Sequence, residues 1–129
     1  MLGKTRTFSS YSVDDLQKAR AFYGETLGLT VKETAEGLEV TLGDRARVFL
    51  YPKADHRPAT FTVLNFEVQG IEAIVDQLVA RGVPFEHYDV PELKGDAKGI
   101  VRGDRGPAAI AWFKDPAGNI LSVVEPRAR

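Results

Sequence analysis

Chemistry in a small protein needs donors and acids that converge, and this sequence supplies few. It holds two histidines, His56 and His87, and no cysteine among 129 residues. The missing cysteines exclude disulfides, a thiolate nucleophile and any Cys-ligated zinc or iron–sulfur site. His56 sits in the polar connector "KADHRPA", where a solvated loop residue is the plainer reading and a base on a cavity rim the sharper one. His87 adjoins Tyr88 on an expected strand, so only one of the two faces a given side. Two isolated polar groups without a partner do not make a general acid–base pair. Tyr51 closes a strand, and a phenol buried there would need a polar partner. Asp115 opens "DPAGN", whose residues suit a tight turn, so its role reads as structural. Ser122 lies in the middle of "NILSVVE", an apolar strand in which a lone hydroxyl demands an explanation. No P-loop, no GxGxxG and no Ser-His-Asp order is present.

The elements that must position these residues follow a repeating order. "KTRTFSSYSV" alternates as a strand, and "DDLQKARAFYGETLGL" carries Leu16, Ala19, Phe22, Tyr23 and Leu27 at helical spacing. Asp14 or Asp15 is placed to cap that helix and Gly28 to stop it. "TVKETA", "GLEVTLG" and "ARVFLYP" then read as an antiparallel meander in which Glu39 and Thr41 share one strand face. After the connector the order restarts with strand "TFTVLNFEV" and helix "GIEAIVDQLVARGV", whose stripe is Ile71, Ile74, Val75, Leu78 and Val79. "PFEHYDV" reads as a strand, Glu92 to Lys98 as a loop, and "AAIAWFKD" and "NILSVVE" as the closing hairpin. The charged run Arg102 to Arg105 reads as solvated, and the long loop as a possible lid over its module. The expected fold is therefore α+β: one chain of two βαβββ modules, about 4–52 and about 60–126 with a linker at 53–59, forming a curved mixed sheet around a cavity.

Composition bounds the partners. Seventeen basic against 18 acidic residues leave a net charge of −1, so no broad positive field draws nucleic acid or an anionic membrane. No stretch approaches the length of a membrane span, and the opening residues lack an apolar leader, which makes a cytoplasmic protein the expectation.

"VDDLQKARAFYGETLGL" and "WFKDPAGNILSVVEP", placed on two βαβββ units, resemble the vicinal oxygen chelate superfamily of glyoxalase I, extradiol dioxygenases and bleomycin-resistance proteins. The resemblance implies a divalent metal held by His, Gln or Glu on the first and last strands of each module. Carried over residue by residue, those positions are Phe8, Val63 and Ser122, with Phe49 and Tyr51 at the end of the first module. Phe and Val donate nothing to a metal, and a neutral hydroxyl is a poor substitute for a carboxylate. Shifting the alignment by one residue, to Thr7, Ser9, Leu121 or Val123, restores no ligand. Glu125, three residues beyond Ser122, points to the opposite strand face.

The expectation is a cavity without metal or cofactor, lined by Phe8, Ser10, Phe49, Tyr51, Trp112 and Ser122, that takes an apolar or aromatic small molecule. By the resemblance Phe113 is core and Trp112 faces the pocket, although an aromatic that plugs the barrel fits the same pattern. The resemblance also implies a homodimer. The alternatives are a glyoxalase- or dioxygenase-like enzyme with a non-standard site, and an interaction module whose concavity is filled by its own side chains.

Overall fold

Alternation of buried and outward residues is clearest at Leu38–Thr41, Arg47–Leu50 and Ala109–Phe113, while Leu121, Ser122 and Val123 are buried in succession. The computed structural model describes residues 1–128, and the chain divides into two compact units, Met1–Pro58 and from Ala59 onward. In the first unit β1 (Ser9–Val13) runs parallel to β4 (Arg47–Pro52), and β3 (Leu38–Thr41) and β2 (Thr30–Glu33) continue the sheet in the order β1-β4-β3-β2. Val13, Leu38, Val40, Val48 and Leu50 are buried on one face of this sheet, with Ala19 and Tyr23 of the helix also in the core. The Tyr23 phenol meets that of Tyr11 on β1 at 2.7 Å, so the largest buried side chain of the helix brings its own polar partner.

The helix starts as expected and ends differently. Asp15 is the cap: its carboxylate accepts from the Gln17 and Lys18 amides at 3.0 and 3.1 Å. Regular α-helix, α1, covers only Leu16–Arg20, and Ala21–Thr26 continues as a π-helical turn in which the Leu27 amide bonds the Phe22 carbonyl five residues back. The wider turn moves the apolar stripe out of phase, leaving Phe22 and Leu27 half-buried around Tyr23. The strand expected from Lys4 is also shorter, since residues before Ser9 are irregular and Phe8 stands just outside β1.

The second unit repeats the plan with an interruption. β5 (Thr62–Glu67) is parallel to β10 (Ile120–Glu125), which pairs antiparallel with β9 (Ala109–Lys114), and β8 (Val101–Arg102) completes the order β5-β10-β9-β8. Helix α2 (Ile71–Ala80) buries Ile71 and Val75, whereas Val79, expected on the same stripe, is 53% exposed at the helix end. Segment 84–90 does not form the expected strand. Only Phe85 bridges to Phe113, with the Glu86 amide bonded to the Trp112 carbonyl, and the chain then leaves the sheet. It forms a separate hairpin of β6 (Asp89–Val90), the end of the expected strand, and β7 (Leu93–Lys94), inside what reads as a loop, and returns as β8. One sheet edge is thus shared by two short pieces of chain.

Two carboxylates fix the closing hairpin. Asp115 accepts from the Ala117 and Asn119 amides at 2.9 and 2.8 Å and from the Asn119 side chain at 3.0 Å, with Gly118 at φ 84° completing the turn. Glu125, on the opposite face from Ser122, accepts from the Gly70 and Ile71 amides at 2.7 and 3.1 Å. Gly70 has no side chain to cap α2, and β10 supplies the cap instead.

Candidate functional site

Each sheet leaves one face free of its own helix, and the expected site residues lie on those faces. On the first, register puts Ser10 beside Phe49 and Glu39 beside Phe49 in turn, while Ser12 pairs with Tyr51. Arg47 and Thr41 occupy the next position along the same face. Phe8, 61% exposed, has the Arg47 guanidinium 5.5 Å from its ring centre. Phe8, Phe49 and Val48 with Glu36, Glu39 and Arg47 line a recess of about 240 Å³. Ser10 is exposed and Tyr51 is 37% exposed rather than a buried phenol, and neither is among the residues that line this recess.

His56 departs from the plainer reading of a solvated loop. Its Nδ1 lies 2.6 Å from the Ser12 hydroxyl, so the connector folds back onto the sheet face that carries Tyr51. The Lys53 ammonium, hydrogen-bonded to Asp55, holds that carboxyl below its ordinary range and leaves His56 flanked by a neutralised pair.

On the second sheet, Asn65, Ser122 and Trp112 form one row across β5, β10 and β9. Phe113 is fully buried and Trp112 half-buried on the opposite face, as alternation requires. The Trp112 indole donates to the Thr62 hydroxyl at 3.1 Å. Thr62 is on β5 and Trp112 on β9, so the indole must reach across β10 between them. Ser122 beneath it is completely buried, and its hydroxyl donates to Asn65 Oδ1 at 2.5 Å. Tyr88 meets Trp112 edge to face at 5.3 Å, while His87 is exposed. Of that adjacent pair it is therefore Tyr88 that joins the row.

These residues do not fit the divalent metal that the resemblance implies. Phe8 and Phe49 present rings to the recess, and Val63 is the residue left over where the β5–β10 register shifts between Ile120 and Leu121. Ser122 has its hydroxyl committed to Asn65. Among the described residues no three His, Cys, Asp or Glu side chains converge. Asn65, Thr62 and Ser12 were not singled out by sequence reasoning; alternation from Ser10 places Ser12 on the open face, whereas Thr62 and Asn65, three residues apart, share a face only because the register shift skips Val63. Among the described residues no helix is long and apolar enough to cross a membrane.

Comparison with known proteins places this geometry. No curated protein matches the chain. A glyoxalase family protein from Enterococcus faecalis superposes with a TM-score of 0.68 at 22% identity, covering 97% of this chain and 100% of its own. The fosfomycin resistance protein FosX from Listeria monocytogenes gives 0.72 at 12% identity, over 96% and 94% of the two chains. TnmS3, an antibiotic binding protein from Streptomyces sp. CB03234, gives 0.63 at 22% identity, over 96% and 98%. At these identities the likeness is one of fold. The family model for the Glyoxalase/Bleomycin resistance protein/Dioxygenase superfamily matches residues 7–123, and the chain belongs to that superfamily.

Proposed function

We propose that this protein binds an apolar or aromatic small molecule without a metal, in the manner of the superfamily's binding members rather than its enzymes. One observation carries the reading: the positions where a metal would be held carry rings, a methyl pair and a hydroxyl already bonded to Asn65. Such walls suit dispersion and stacking with a few orienting polar groups. Phe8, Ser10, Phe49 and Tyr51 serve on the first sheet and Trp112 on the second, where Ser122, buried beneath the indole, acts through Asn65. The resemblance to an antibiotic binding protein in fold supports the same direction. A cytoplasmic homodimer belongs to the proposal, and sedimentation of the purified protein tests its stoichiometry.

Thermal shift tests the binding reading. A panel of aromatic small molecules, each measured with and without EDTA, is expected to contain compounds that raise Tm in a concentration-dependent way that EDTA does not alter. Stoichiometric Ni, Zn, Fe or Mn in the purified protein, removed by chelator together with ligand binding or a catalytic activity, overturns it.

A further inference from the structure

Asn65 is the one exposed amide in the row that Ser122 and Trp112 build, and its orientation follows from a proton count. Ser122 is fully buried and its hydroxyl has one proton to place. Asn65 Oδ1 is the acceptor that receives it. With the amide reversed, Nδ2 would donate to the hydroxyl oxygen and the hydroxyl proton would lose this acceptor, which for a buried hydroxyl costs about 1–3 kcal/mol. Ser122 therefore holds Asn65 with its Nδ2 protons turned away from the strand. Asn65 itself is exposed, on the face that also carries Trp112. The indole is held just as firmly, by Thr62 at one end and Tyr88 against its ring. Side chains fixed by second contacts bind with less loss of conformational freedom.

We infer that Asn65 is a specificity-determining donor, positioned by Ser122, for an aromatic ligand that carries a carbonyl or similar acceptor at its edge and packs its ring against Trp112. The inference rests on the binding reading above and adds the chemistry the ligand must present. It also gives Ser122 a purpose where the superfamily places a metal ligand: it orients an amide.

The test compares 2-acetylnaphthalene with 2-ethylnaphthalene, two probes of similar shape of which only the first has an acceptor. Binding to the full chain is followed by NMR, with the side-chain amide of Asn65 and the indole of Trp112 as reporters. The ketone is expected to bind about fivefold tighter, the worth of one net hydrogen bond, and to shift the Asn65 amide protons. Asn65→Asp, isosteric but accepting only, is expected to bring the ketone to the hydrocarbon's affinity or below while leaving the hydrocarbon unchanged. Ser122→Ala is expected to broaden or average the two Asn65 amide resonances and to reduce the preference, a signature that lost stability alone does not produce. Equal binding of both probes to the wild type, or a preference unchanged in Asn65→Asp, overturns the inference and leaves the binding reading standing. No binding of either probe overturns the inference, and an empty ligand panel in the thermal-shift test overturns the binding reading separately.

Discussion

Replacing Asp115 by Ala tests whether the β9–β10 turn sets the geometry of the open face. Asp115 is 4% exposed and its carboxylate accepts three hydrogen bonds, two from backbone amides and one from the Asn119 side chain. A hydrogen bond to a charged group contributes about 1.5–3 kcal/mol when both partners are desolvated. The turn lies at the end of a hairpin where water can enter once the carboxylate is gone, so the sum is discounted to about 3 kcal/mol. With roughly 2.1 cal/mol/K of unfolding entropy per residue, a chain of 129 residues then melts about 11 °C lower. Asp115→Asn keeps one carbonyl-type oxygen for the two backbone amides and turns an NH2 toward the Asn119 donor, so it is expected to lose about half as much. Differential scanning calorimetry measures both, and near-UV circular dichroism of Trp112, the only tryptophan, reports whether the hairpin register persists. An Asp115→Ala protein melting within about 2 °C of wild type, well inside the shift calculated above, refutes the reasoning, because the three bonds would then carry nothing.

Thr62→Val removes the acceptor of the Trp112 indole at nearly constant volume; tryptophan emission is expected to change and acrylamide quenching to rise as the ring leaves β10. Glu125→Ala takes the cap from α2 and is expected to cost about 1 kcal/mol, with faster amide exchange confined to the first turn of the helix. Burial opposes the charge of Asp96, but bonds from Arg102 and from the Ile100 and Lys98 amides outweigh it and hold its carboxyl below the ordinary range. A carboxyl depressed by folding stabilises fully above its unfolded pKa, so this contribution is present above about pH 4 and is lost as pH falls further. The pair with Arg102 is part-exposed and worth at most about 1 kcal/mol, and an NMR titration of the Ile100 amide with a midpoint below the normal aspartate range checks it.

Local rules carried much of this structure. Alternation put Phe113 and Trp112 on opposite faces and the resemblance named Phe113 as core, Asp14-Asp15 announced the helix start, and "DPAGN" announced the turn. What remained illegible is set by pairing at long range. The Asn65–Ser122 bond spans 57 residues, the Trp112–Thr62 bond 50, and the Glu125 cap reaches back 55 to Gly70. Each depends on which strands lie side by side and in what register, and a one-residue shift at the β5–β10 bulge would rearrange all three. The π-helical turn was hidden for a different reason: Ala21 to Thr26 contains no residue that forbids ordinary helix. His56 was misjudged because its partner, Ser12, lies 44 residues earlier.

The position of β10 also bears on how this half of the chain comes to exist. It occupies the middle of its sheet between β5 and β9, yet it is made last of the four. While a ribosome is still adding residues 68 to 119, β5 lacks the strand it pairs with. Parallel pairing over such a span is slow and leaves the edge of β5 open to other nascent chains. Loss of a few residues around Ile120 would therefore harm yield in the cell far more than the few contacts removed would suggest.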